Sequence, residues 1–261
     1  MKIFIKITFV FMFLLLAGFN NSNNKGYKVR KIIIDAGHGG KDSGALGRFS
    51  KEKDIALQIA LELGKLIKKN MRDVTVLYTR QKDEFIPIYQ RAHIANKNNA
   101  DVFISIHCNA AEKNKSAHGI EIFTMGLETS SKNLAVTKRE NSVILIEDNH
   151  KEHYQGFDPK SPESHILFSL YQNAYTENSL KLAQNIEAGF KQHTGRKSRG
   201  VKQDGLLVLW QTTSPSVLVE VGFISNAEEE KYLNQKTSQT KIATAIFEGF
   251  KKYKYDIEHY K

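Results

Sequence analysis

The chain has 261 residues, 41% hydrophobic and 25% charged, which suits one soluble domain of ordinary size plus a targeting segment. Its single cysteine, Cys108, excludes an internal disulfide framework. The formal charge of +10 comes from 38 basic against 28 acidic residues, but the lysines are scattered, with no dense block and no interleaved aromatics, which argues against a nucleic-acid partner.

Residues 1–20 read as a secretory signal peptide. Lys2 and Lys6 supply a positive start, Ile7 to Phe19 is almost wholly apolar, and the polar stretch Asn20–Asn24 follows. The apolar run is short for a membrane span, and no cysteine follows it to carry a lipid; the alternative is an uncleaved N-terminal anchor. Val29–Asp35 is an apolar, β-branched strand that ends in a turn cluster, Gly37-His38-Gly39-Gly40. Lys51–Asn70 carries Ile55, Ile59, Leu63, Leu66 and Ile67 at the spacing of an amphipathic helix. Val74–Tyr78 is a second strand, and Pro87 opens a helix to about Asn98. Val102–His107 and Ile120–Thr124 are further strands. The stretch 125–175 breaks the rhythm: it is a long polar excursion with one helix, Ser131–Glu147, and then a loop. A helix from about Asn178 to His193 leads to a Gly/Lys/Arg-rich loop at 195–205. Leu206–Trp210 and Val217–Val221 are expected as strands, and Thr237–Tyr253 as a closing helix. Strands alternating with helices predict an α/β fold with a largely parallel sheet.

Three strand ends carry chemistry. His38 follows the first strand, His107 ends the VFISIH strand, and Glu220 ends the VLVE strand. Ligands in open α/β sheets gather at the carboxyl ends of strands, so these side chains converge on one crevice. Glu52, in the first turn of the next helix, is close enough in sequence to reach back toward His38. Two His and one Glu make a hydrolytic zinc set with a fourth position left for water, and Glu220 is the candidate to move the proton. Taken singly each residue proves little, and a GHGG turn can equally bind a phosphate.

The segments IIIDAGHGGKDSGA, KEKDIAL, VFISIHCNA and SVLVEVGFISN resemble, in order and spacing, the zinc-dependent N-acetylmuramoyl-L-alanine amidases over about residues 29–253. The resemblance implies a single catalytic domain (29–255) built on a six-stranded sheet flanked by helices, with the zinc site at the C-terminal strand ends. It implies zinc ligands at His38, Glu52 and His107 and a catalytic carboxylate at Glu220. The substrate would be peptidoglycan, cut between N-acetylmuramic acid and L-alanine in wall remodelling or daughter-cell separation. Arg80 and Arg91 match an Arg-containing family segment: they would orient loops or meet a stem-peptide carboxylate, with surface salt bridging the expectation for Arg91. Asn109 would fix the metal loop or touch substrate. His118, His150, His153, His165 and His193 have no motif context and are read as non-ligands.

The excursion, KRENSVI above all, resembles an inserted helix that covers the zinc in some Gram-negative relatives until a partner protein displaces it. Glu140 or Glu147 would then fill the open position; the alternative is a surface insertion that merely lengthens the substrate groove. With the signal peptide, this implies a periplasmic enzyme without a stable membrane anchor after cleavage. Two other readings are a zinc carboxypeptidase and an inactive wall-binding or regulatory module. A retained Glu220 argues against the second.

Overall fold

A computed structural model of the protein describes residues 27–127, 131–169 and 174–259; the expected signal peptide lies outside them. Six strands, β1 (Lys31–Ala36), β2 (Thr75–Tyr78), β3 (Val102–Asn109), β4 (Ile120–Met125), β5 (Ser198–Asp204) and β6 (Ser216–Phe223), form one sheet. Their order is β2-β1-β3-β6-β4-β5. Every pairing is parallel except β4 with β6.

The central strands are buried at almost every position, as their unbroken apolar runs demand. Alternate side chains supply two cores. Ile32, Ile34, Val102, Ile104, Ile106, Val217, Val219 and Val221 join the larger core. That core is closed by α1 (Glu52–Asn70), by α6 (Thr176–Thr194) and by α9 (Lys236–His259), which packs across both other helices. Ile33, Phe103, Phe123 and Leu218 point to the opposite face, into a smaller core with α2 (Ile88–Lys97) and α7 (Leu207–Trp210). A short helix, α8 (Ala227–Leu233), follows β6.

The excursion packs into the second core. It contains α3 (Ser131–Asn141), a 3-10 turn over Ser142–Ile146, α4 (His150–His153) and α5 (Pro162–Ser169), where one helix over 131–147 was expected. Val136, Ile144, Tyr154, Phe157 and Phe168 are buried there, with Phe168 edge-on to Trp210 at 4.9 Å.

Two sequence expectations are corrected. Leu206–Trp210 is a short buried helix, not a strand, because a five-residue apolar run carries no periodicity that separates the two. The 195–205 loop contains β5, whose polar sequence SRGVKQD is that of an edge strand paired on one side only.

Candidate metal centre

His107 and Glu220 are direct neighbours in the parallel register of β3 and β6. Both stand on the face of Phe103 and Leu218, so the period of two that builds the cores also delivers these polar groups to one side. Gly37 precedes His38, and a Cβ there would lie 2.5 Å from the His107 ring, so only glycine lets the two histidine-bearing segments approach. His38 itself adopts φ 59°, a left-handed conformation that costs a non-glycine residue about 1–3 kcal/mol and persists only when its surroundings hold it. The holders are visible. Asp42 Oδ2 lies 2.7 Å from His38 Nδ1, and Arg91 Nη2 donates to the His38 carbonyl at 2.9 Å.

Glu52 opens α1, where the helix N-terminus favours a carboxylate. Its Oε2 accepts from Ala45 N at 2.7 Å and its Oε1 from Cys108 N at 2.8 Å, and it is fully buried. The same Oε1 lies 3.1 Å from both His38 Nε2 and His107 Nδ1. The fourth member is Glu140 from α3, whose Oε2 is 3.3 Å from His38 Nε2 and 3.0 Å from His107 Nδ1. One ligand atom from each of the four lies within 4.8 Å of the others. A tetrahedral ion with bonds of about 2.0–2.1 Å sets its ligand atoms about 3.3 Å apart, close to the four histidine-to-carboxylate spacings of 3.0–3.3 Å. Among the described residues, His38 Nε2 and Glu140 Oε2 are buried without a hydrogen-bond partner, as atoms turned toward a common cation are. Two imidazole nitrogens and two carboxylate oxygens fit zinc.

The electrostatics describe the same cluster. Burial alone would depress His107, but contact with the Glu140 and Glu52 carboxylates outweighs it and holds the imidazole at about 9. His38 is likewise raised, against its burial, by Glu52, Asp42 and Glu140. Burial would raise Glu52, but the charge of His38 and the contact with His107 bring it down to about 2. Glu220 moves the other way. Its burial, reinforced by the Glu140 and Glu52 charges, pushes it well above the usual carboxylate range despite Arg139. Glu220 Oε2 has no hydrogen-bond partner among the described residues.

Arg139, next to Glu140, completes the arrangement. It donates to Asn109 Oδ1 at 3.2 Å, to the Ala110 carbonyl at 2.9 Å and to Glu220 Oε1 at 3.2 Å. Beneath the insertion the cavity at the cluster is only about 20 Å³, room for about one water molecule and far too little for an amide substrate.

The remaining residues singled out from the sequence fall elsewhere. Arg91 is buried rather than surface-bridging: it pairs with Asp35 at 2.8 Å and donates to the Ala36 and Ile86 carbonyls. The helix pattern of α2 gave it no assigned face, whereas the buried Asp35 carboxylate below requires a cation. Arg80 donates to the carbonyls of Ala36, Gly37 and Lys53, so it orients the loop before His38 and the start of α1. Glu147 does not join the cluster. It accepts from Ile88 N at 2.7 Å and from the Tyr154 hydroxyl at 2.6 Å, at the start of α2. Asn109 donates to Glu121 Oε2 at 2.6 Å. Asp35, Asp42, Glu121 and Arg139 were missed in the sequence. Only Asp42, four residues after His38, carried a local signal.

The fold and the site together define a candidate α/β metallohydrolase. Residues 32–252 match the family model described as N-acetylmuramoyl-L-alanine amidase. The chain is 37% identical over 227 residues to N-acetylmuramoyl-L-alanine amidase AmiA of Escherichia coli (strain K12), covering 86% of this chain and 76% of that one. Among solved structures it resembles an N-acetylmuramoyl-L-alanine amidase from Clostridium difficile 630, at 27% identity and a TM-score of 0.65 over 87% of this chain and 97% of the other. It also resembles the CwlD amidase of Clostridioides difficile, solved in complex with the GerS lipoprotein, at 29% identity and a TM-score of 0.63 over 86% and 98%. The chain belongs to the N-acetylmuramoyl-L-alanine amidase family.

Proposed function

We propose that this protein is a zinc amidase that hydrolyses the bond between N-acetylmuramic acid and L-alanine in peptidoglycan, held at rest by its own insertion. The four-residue cluster at the ends of β1 and β3, with Glu220 beside it on β6, is the observation that carries this reading.

His38, Glu52 and His107 would hold the ion. Bound there, zinc supplies a Lewis acid for the scissile carbonyl and acidifies a water toward neutrality. Glu220 moves the proton: once the insertion withdraws and the Glu140 charge no longer opposes its ionisation, its Oε2 accepts one from the attacking water and delivers it to the departing alanine nitrogen. Asp42 keeps the His38 ring oriented, and the Cys108 and Ala45 amides do the same for Glu52.

Glu140 and Arg139 support the resting state. Glu140 fills the position a substrate or water would take, while Arg139 engages Glu220. Neighbouring residues of one helix thus occupy both halves of the chemistry. An activator protein that binds the withdrawn insertion would open the site. The CwlD relative, solved in complex with a lipoprotein, supports binding of a second protein to this fold. Among the described residues no helix is long and apolar enough to cross a membrane. The signal-like N-terminus supports export, with the periplasm as the site of action.

Metal analysis and product analysis test this reading. Purified protein should hold about one zinc per chain, and digestion of peptidoglycan should release stem peptides with a free L-alanine amine. Trimming of terminal residues alone would indicate a carboxypeptidase. Product formation unaffected by Glu220→Ala would remove Glu220 from the chemistry, and absence of any product from the zinc-loaded protein, Glu140→Ala included, would leave a wall-binding role.

A further inference from the structure

A groove of about 1330 Å³ runs away from the site, sharing Asn109 and Arg139 with it. Its far wall comes from β4 and β5. Glu121, the neighbour of Glu220 across the antiparallel β4–β6 pair, is buried at the base. Two cations share that one carboxylate: Arg199 Nε at 2.6 Å and Lys202 Nζ at 2.9 Å. Arg199 lies over the Phe223 ring at 5.1 Å, a cation–π contact that helps hold its guanidinium. Among the described residues only its Nε is engaged, so its terminal nitrogens keep their donors for a ligand. Exposed Lys113 and Lys115 add charge on the rim, against one further carboxylate at Glu112. The groove is therefore net positive, although Glu121 is buried within it.

We infer that this groove is the subsite for the peptide portion of the substrate, and that Arg199 and Lys202 select peptides bearing free carboxylates. The inference rests on the amidase reading above. The placement suits it, since the groove meets the site at Asn109 and at Arg139, which contacts Glu220. Glu121 sets the positions of the two cations and is itself neutralised, so a carboxylate of the ligand meets Arg199 as an unspent bidentate partner. Arg199 and Lys202 belong to the sheet, so they keep their places when the insertion withdraws.

The test is a comparison of kcat/KM for a soluble muramoyl-peptide with free carboxylates and for the same compound with those groups converted to carboxamides. The zinc-loaded full chain is used, both wild type and Glu140→Ala. Preference for the carboxylate form should be at least about tenfold, the lower end of what a hydrogen bond to a charged group contributes, and should appear in KM. Arg199→Met should bring the ratio of kcat/KM for the two compounds close to one. Lys113→Gln/Lys115→Gln, at exposed positions that do not hold Glu121, should reduce it without disturbing the fold. Equal use of the two compounds, or a preference untouched in both variants, overturns the groove assignment and leaves the amidase reading intact. Cleavage of neither compound by wild type or Glu140→Ala protein overturns both.

Discussion

Removing the Arg91 guanidinium would leave Asp35 buried with only the Thr79 and Ser105 hydroxyls, each at 2.6 Å, to meet its charge. Breaking such a pair from one side costs about 3–5 kcal/mol, so Arg91→Met should lower stability by that order in urea unfolding. It should also loosen His38, whose carbonyl Arg91 binds, and so weaken zinc affinity. The pH dependence has a definite sign. Burial opposes ionisation of Asp35, but Arg91 and the two hydroxyls outweigh it and hold the folded carboxyl below its usual value. Its contribution to stability is therefore complete above about pH 3.9, the unfolded value, and is lost as pH falls through the lower folded value. Asp35→Asn should flatten this acid limb in pH-dependent unfolding, and an unchanged limb would exclude the pairing as its source. At Glu220 the expected signature is different. Glu220→Gln should retain zinc yet lose about 10²–10⁴-fold in kcat; loss of the metal in parallel would assign the residue to ligation instead.

The insertion is the element whose behaviour matters most. Asn141 donates to the Gly205 carbonyl and accepts from Leu207 N, Lys41 donates to the Ile146 carbonyl, and Glu147 caps the start of α2. Replacing Glu140 by Ala should raise basal wall-hydrolysing activity by about tenfold or more, the value of one charge-assisted contact. Deleting 130–170 should do at least as much; equal or lower activity in soluble, folded protein from both would remove the self-blocking reading. The elements that position the metal cluster could be read from the chain because β1, β3 and β6 are apolar runs buried on both faces, and α1 has a clear apolar stripe. His38, Glu52 and His107 follow from where those elements end. β5 escaped because an edge strand needs no apolar alternation, and α7 because four apolar residues fit either state. Arg139 and Glu121 escaped for another reason. Their partners lie 81 and 78 residues away in the chain, a distance over which no local pattern operates.

For the whole molecule, the metal should be a structural tie as well as a reagent. The cluster joins the turn after β1, the start of α1, the end of β3 and the insertion. A ligand that binds only the folded chain stabilises it by about 2.7 kcal/mol at a hundredfold excess over its Kd. Chelation should therefore lower Tm measurably, and stoichiometric zinc should restore it; an unmoved Tm would mean the four segments are held by packing alone. If Glu140 blocks the site as proposed, its tether to the chain has a further consequence. A covalently attached competitor acts at a local concentration set by its linker, in the millimolar range for short flexible ones, and dilution of the enzyme never weakens it. Dissolved carboxylates would thus be poor competitors of the tethered one, and an opener would gain nothing by contesting the metal. It would succeed by gripping the released segment, and shifting a 1:99 population to 99:1 requires a preference of about 10⁴-fold for that released form. The steepness of release would then be a property of such a partner's surface, adjustable by mutation without altering a single catalytic group.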